Sequence, residues 1–438
     1  MKVENFIKKT DAAKVRVSAT VIWENCNRPD QEVFFETTAE FEADFIINPN
    51  SWLLACTLPA MRYGEDRIAI DAPISPEIKD GLINAMKCLI DWHRGATPRY
   101  AERYPLGRRQ AQTKALAACN AHLEGGRKAI KIEAPTQSQV LFPNKPKRAA
   151  GFFSGGIDAL AMVRDNHLNF SADHPRHIKD GILVYGILEG ENSSDPSFQN
   201  VINAVSAMAK DAEIELIQVS TNAYAHFRDL DPDYSFWRLE YMGSFLAAIA
   251  HAFIPRFSLA SIASTYDYAN LEPWGSHPLL DPLYSTNSLQ IRHENAALSR
   301  LEKTKLVGEW DVALKHLRVC NEKASYKDGN YNCGECGKCV KTMAAFLALG
   351  LLEQIPTFVK KDISQELLLD NCYISDAYDE SCYRELIEPL SKIDRQDLVG
   401  GIEQITKRYH EQDLIGLIKR FDRNFLGGNL LDLVRSAK

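Results

Sequence analysis

The chain has 438 residues, 45% of them hydrophobic and 25% charged, which is enough for two or three domains with large buried cores. Its 51 basic and 58 acidic residues leave a net charge of −7, which argues against a surface devoted to nucleic acid. The segment from Met1 to Lys9 is too charged for a signal peptide, and the apolar stretch Phe245 to Ile254 is broken by His251 and too short to span a bilayer. A cytoplasmic protein with reduced thiols and no membrane partner is expected.

Residues 15–23 alternate Val15, Val17, Ala19, Val21 and Trp23 with mostly polar neighbours, and residues 41–47 do so with Phe41, Ala43, Phe45 and Ile47. Period-two alternation predicts half-buried antiparallel strands. A helix is predicted from Pro76 to Arg94, with Ser75 as N-cap and Ile78, Leu82, Met86, Leu89 and Ile90 facing inward. These elements read as an N-terminal α+β domain over residues 1–148, closed by a linker from Pro143 to Arg148.

From Ala149 strands and helices alternate. Strands are expected at 149–153, Gly181 to Leu188, Ile214 to Ser220 and Ser258 to Ser264, with helices after Gly156, at Phe198 to Ala212 and at Trp237 to Phe253. That rhythm predicts an α/β fold with a parallel sheet and right-handed crossovers, spanning 149–345. The loop from Thr265 to Pro282 reads either as a substrate-holding segment or as irregular surface. A helix from Glu294 to Leu306 carries Arg300 and Lys303. Residues 346–438 read as a C-terminal helical region for packing or a partner, without a chemical constellation. Its expected helices include Asp394 to Arg408 and Asp413 to Arg423.

Two stretches carry chemistry. The first is Ser154-Gly155-Gly156-Ile157-Asp158, between an apolar strand and a helix. Glycines remove the Cβ atoms that would hold a phosphate off the backbone, and the free N–H groups of a helix start point at it. Ser154 adds a hydroxyl donor, and Asp158 a carboxylate that could hold a phosphate-bound magnesium ion or orient the loop. The second is Cys320, Cys333, Cys336 and Cys339, in which each C-x2-C pair aims two thiolates at one ion. Four thiolates favour structural zinc; an iron–sulfur cluster is the competing site, although Cys339 is not followed by the usual C-x3-C-P. The other cysteines, Cys26, Cys56, Cys88, Cys119, Cys372 and Cys382, are scattered and read as core or surface thiols.

Together the turn and the cysteine quartet resemble the PP-loop ATP pyrophosphatases, and within them the 7-cyano-7-deazaguanine synthase (QueC-like) branch, with its Cys-Gly-x-Cys-x-x-Cys zinc site. The resemblance covers about residues 149–345 and implies an adenine nucleotide alpha hydrolase-like PP-loop domain. It implies an enzyme that splits ATP between the α and β phosphates, moves AMP to a carboxylate or amide oxygen, and lets an amine displace it, with ATP, Mg2+ and Zn2+ bound. Carried over by motif, Phe153, Ser154, Gly155, Gly156, Ile157, Asp158 and Ala159 line the phosphate site. Ile187 flanks the adenine, and Ser154, Asp158 and Lys303 serve catalysis. Ala159 stands where the signature has a second serine, so one phosphate-binding hydroxyl is missing.

The extra terminal regions are similar to those of relatives in anti-phage defence systems. That likeness implies a deazapurine as small-molecule substrate, with a protein or nucleic acid as acceptor. A tRNA-modifying PP-loop enzyme and a non-catalytic nucleotide-binding scaffold are the alternatives.

Overall fold

A computed structural model describes residues 1–93, 128–138, 148–187, 196–231, 234–320 and 331–425. The chain falls into two compact units, Met1–Leu298 and Ser299–Lys438.

The first unit opens with an antiparallel meander of β1 (Lys2–Thr10), β2 (Lys14–Ile22) and β3 (Gln31–Thr38). Val15, Val17, Ala19 and Val21 of β2 are buried, as their alternation predicts. Helix α1 (Pro49–Arg62) starts at Asn48, whose side chain accepts from the Asn50 N–H, with Pro49 in the first turn. Asn50 through Met61 are all buried, so the helix runs through the core and shows no amphipathic period in sequence. β4 (Arg67–Ile70), α2 (Pro76–Trp92) and β5 (Lys131–Glu133) follow.

The α/β portion comprises β6 (Arg148–Phe152), α3 (Ile157–Asn169), β7 (Ile178–Tyr185), α4 (Pro196–Asp211), β8 (Glu215–Thr221), a π-turn at Trp237–Tyr241 leading into α5 (Met242–Ala252), β9 (Phe257–Ala263) and β10 (Gln290–Glu294). All ten strands form one sheet in the order β10-β9-β6-β7-β8-β3-β2-β1-β4-β5. The run β10-β9-β6-β7-β8 is parallel, in agreement with the expected α/β class.

Continuity across residue 148 comes from β3, which pairs antiparallel with β8. Side chains stitch this seam: Thr221 Oγ1 donates to Phe34 O (2.6 Å), and Thr37 Oγ1 to Gln218 O (2.8 Å). Across the core, Tyr241 OH donates to Ala55 O (2.7 Å) and Ser244 Oγ to Leu54 O (2.6 Å), joining α5 to α1. The compact units therefore divide at 298/299 rather than at the expected 148/149 and 345/346, because residues on both sides of 148 share one sheet and one core. Pro143 to Lys147 of the expected linker, Leu188 and Cys119 lie outside the described residues.

The amino ends of the parallel strands are tied by ions. Asp180 of β7, completely buried, accepts from Arg148 Nε (2.6 Å) and Arg256 Nη2 (2.7 Å), and Arg256 also reaches Asp44 (3.0 Å) and Glu215 (2.5 Å). Burial pushes the Asp180 carboxyl above the usual carboxylate range, and the two guanidiniums oppose that rise.

The second unit is helical: α6 (Arg300–Gly308), α7 (Asp311–His316), α8 (Gly337–Ala348), α9 (Gln365–Asn371), α10 (Ala377–Arg384), α11 (Ile387–Lys392) and α12 (Gln396–Phe425). Ser299 and Glu302 form a capping box at the start of α6. This cap and the preceding β10 correct the helix expected from Glu294. The alternation at 41–47 is no strand either: Phe41 ends a 3-10 turn and the chain continues as irregular backbone. The two helices expected at 394–408 and 413–423 are one, α12, and Gly400-Gly401 lies inside it, where a Cβ at Gly401 would come within 2.9 Å of the Leu368 side chain. Among the described residues no helix is long and apolar enough to cross a membrane.

Removing the Asp180 carboxylate (Asp180→Ala) leaves two guanidiniums without their buried partner. It is expected to cost about 3–5 kcal/mol of stability, read as a lowered urea midpoint. Two fully buried histidines set an acid limit. Burial pushes His226 and His251 down to about 4 from the ordinary imidazole value of 6.5. The unfolded chain binds these protons near pH 6.5 and the folded chain resists until about 4, so stability falls across that window as pH drops and is flat above it. Each group contributes roughly 3 kcal/mol of that loss. Urea titrations over the window should show the slope, and His251→Asn should reduce it.

Candidate functional site

The parallel run has a point where its strand order reverses. The chain proceeds from β6 to β7 and β8 on one side, then places β9 and β10 on the other. In such sheets the crevice beyond the carboxyl ends of the two strands at the reversal, here β6 and β9, is the usual ligand position. The glycine turn follows β6 directly. Phe153 N–H donates to Ile182 O (2.8 Å), which holds the chain against β7 for one more residue before it turns.

Within the turn Ser154 is exposed, Gly155 has φ +77°, and Gly156 is the N-cap of α3 with no side chain capping the helix start. A Cβ on Gly155 would be strained in the left-handed region and crowd the Val205 and Met208 side chains at 3.1 and 3.2 Å, so the position favours glycine. Asp158 is half-buried in the first turn of α3. The structure thus brings Ser154, Gly155, Gly156 and Asp158 together at one helix start, with Ile187 just beyond the neighbouring strand β7. Phe153, Ile157 and Ala159 point elsewhere: their side chains are buried, so anything they offer a phosphate comes from the main chain. Lys303 lies in α6 of the second unit with a completely buried side chain.

The four cysteines of the second unit converge. Their sulfurs all lie within 4.8 Å of one another, with Cys333–Cys339 at 3.8 Å and Cys320–Cys336 at 3.9 Å. A single tetrahedral ion with bonds of about 2.3 Å places its sulfurs roughly 3.8 Å apart, while a disulfide needs about 2.05 Å. An iron–sulfur cluster interposes several atoms and spreads its ligands further, so the set suits one ion such as zinc. Gly334 at φ +71° makes the turn between the first pair, where Glu335 and Cys336 N–H groups donate to Cys333 Sγ (3.4 and 3.2 Å). Cys336 then caps α8.

Asn332 locks the two arms of the site together. Its Oδ1 accepts from Val319 and Cys320 N–H (2.8 and 3.2 Å), and its Nδ2 donates to Leu317 O and Thr357 Oγ1 (2.9 and 3.0 Å). Burial pushes the Cys336 thiol up to about 11, and Cys320 together with burial raises that of Cys339. A bound cation reverses this, since thiolates are the ligands. Of the scattered cysteines, Cys56, Cys88, Cys372 and Cys382 are free thiols as expected, whereas Cys26 is disulfide-bonded.

A third constellation was not legible as chemistry in the sequence, although the loop that carries it stood out. Asp281, completely buried, accepts from His293 Nδ1 (2.8 Å) and Ser276 Oγ (2.7 Å). Ser276 therefore sits on the Nδ1 side of the imidazole, which is the wrong side for a serine-hydrolase triad. The π-turn before α5 anchors this loop: Gly275 N–H donates to Arg238 O (2.6 Å), and Gly275 O accepts from Gly243 N–H (2.7 Å). No periodicity signals such an arrangement, because it joins a loop to a strand twelve residues on.

Comparison with family models, with curated proteins and with solved structures finds no match to this chain.

Replacing Cys333 by Ser should abolish stoichiometric zinc, measured by elemental analysis of protein purified in its presence, and destabilise the second unit. Chelation of the wild type should do the same, since structural zinc sites carry about 10–16 kcal/mol of apparent binding energy. Retention of one ion per chain in Cys333→Ser would count against the quartet as the site.

Proposed function

We infer that the chain is an ATP-dependent enzyme of the PP-loop type, which transfers AMP to a carboxylate or amide oxygen with release of pyrophosphate, after which an amine displaces AMP. One observation carries this reading: the Ser154–Gly156 turn leaves β6 at the point where the parallel strand order reverses and opens the N-terminus of α3 without a capping side chain. Uncapped N–H groups, a left-handed glycine and an exposed hydroxyl suit a polyphosphate.

On this reading Gly155 and Gly156 let the backbone approach the β and γ phosphates, and Ser154 donates its hydroxyl to them. Asp158 is the residue that would hold magnesium, whose chemistry is to offset charge on the departing pyrophosphate. Ala159 weighs little against turnover, because a serine hydroxyl there would start from a position only 6% exposed. Lys303 has the least geometric support of the expected catalytic set, being buried in α6. The substrate class that the sequence resemblance supplies is a deazapurine acid, with a protein or nucleic acid as acceptor in a defence setting. The cysteine quartet, with an ion such as zinc, serves the architecture of the second unit.

The test is incubation with ATP, magnesium and candidate acids, with AMP and pyrophosphate quantified. An acid-dependent release of both is expected, reduced about 10²-fold or more in Asp158→Ala and in Gly155→Ala. No release with any acid, together with unchanged nucleotide binding in Asp158→Ala, would sink the reading.

A further inference from the structure

β10 is an edge strand: among the described residues β9 pairs with one side of it and no strand with the other. Ser264 N–H donates to Glu294 O (2.8 Å), which assigns the main-chain groups of Gln290, Arg292 and Glu294 to the β9 side. Leu289, Ile291 and His293 therefore direct theirs outward. Leu289 is covered, since its N–H donates to Thr286 Oγ1 (3.2 Å) and its C=O accepts from Thr286 N–H (2.9 Å). Ile291 is covered too: its N–H donates to Ser285 Oγ (2.9 Å), whose hydroxyl turns back to the Ile291 carbonyl (3.5 Å). Among the described residues the main-chain N–H and C=O of His293 have no partner.

That one uncovered donor–acceptor pair lies on the wall of a cavity of about 570 Å³, within the usual range for small-molecule sites. Pro278 and Pro282 form apolar wall, and the ring of Tyr268, 62% exposed, stands at the rim. Of the charged groups on the wall, Arg292 Nε binds Glu294 (2.7 Å), and the Glu77 carboxylate accepts from two neutral donors, Asn287 (2.5 Å) and Ser75. Glu77 therefore keeps its negative charge on the wall, which disfavours an anionic ligand. Behind the strand, the His293 imidazole is 3% exposed and tied to Asp281, which fixes the main chain ahead of binding.

We propose that this cavity binds a small, planar molecule without negative charge that presents an adjacent donor and acceptor, a primary carboxamide or an amino-azaheterocycle, to the main-chain N–H and C=O of His293. The site rests on the edge strand and the cavity, independently of the nucleotide reading. An exposed edge is ordinarily left to water; here the same strand covers its neighbouring positions with built-in groups and leaves a single pair within a concavity.

The test uses the full chain with histidine labelled by an NMR-active nitrogen isotope, so that its 11 histidines each contribute one amide resonance. The His293 resonance is the one missing from His293→Gln. Benzamide and aminopyrimidine should shift it saturably, and N,N-dimethylbenzamide, which lacks the donor, should not. Tyr268→Ala, a change at an exposed position, should weaken the response about tenfold. Asn287→Trp, which fills the cavity from an exposed rim position, should abolish it. No shift with any probe at millimolar concentration, or an equal shift with N,N-dimethylbenzamide, overturns the proposal.

Discussion

The buried carboxylate of Asp180 is the constraint around which the first unit is arranged. It sits at the amino end of β7 between Arg148, which begins β6, and Arg256, which precedes β9, and Arg256 extends the network to Glu215 of β8 and to Asp44. Four parallel strands and a segment of the N-terminal region thus share one charge centre. A buried carboxylate without those guanidiniums would be strongly unfavourable, so the strands must start at matching levels. With their starts aligned, their carboxyl ends, where the glycine turn and the loop after β9 emerge, are aligned as well.

From that alignment the two faces of the chemistry diverge. The glycine turn offers main-chain donors, a hydroxyl and a carboxylate at a helix start, which is a surface made for charge. The margin of the parallel run along β10 offers a different set: the Arg292–Glu294 ion pair, the Glu77 carboxylate, two prolines, a tyrosine and one open peptide pair. The loop between β9 and β10 links these regions, and Gly275, gripped by the π-turn before α5, holds it in place. The second unit follows its own logic, in which Asn332 and the cysteine sulfurs join the Leu317–Cys320 stretch to the nearby Cys333–Cys339 stretch around a volume suited to a single ion.

Much of this was legible in advance. Strands are legible at 149–153, 181–188, 214–220 and 258–264, and a parallel strand is present at each, Leu188 lying outside the described residues. The cysteine spacing announced its convergence because C-x2-C turns are local. The failures have equally definite causes. Residues 41–47 alternate because Phe41 and Phe45 pack inward from irregular backbone, and period alone cannot distinguish that from a strand. Helix α1 was missed because burial on nearly every side erases its period. β10 was missed because five residues with Arg292, His293 and Glu294 among them carry no apolar alternation; its place is set by pairing with β9.

The sequence by itself determined the local chemistry: a strand–glycine–helix turn and a four-cysteine set. Each depends on residues close in the chain and on left-handed conformations that glycine adopts most readily, such as φ +77° at Gly155 and +71° at Gly334. Tertiary structure alone decided what those local units belong to. That β3 joins β8 and merges residues 1–148 into the same sheet, that Ala159 and Lys303 are buried, and that His293 meets Asp281 while its main chain stands uncovered are all consequences of non-local pairing. Pairing between distant strands is set by which edges and faces remain to be buried once local structure has formed, and no window of sequence contains that information.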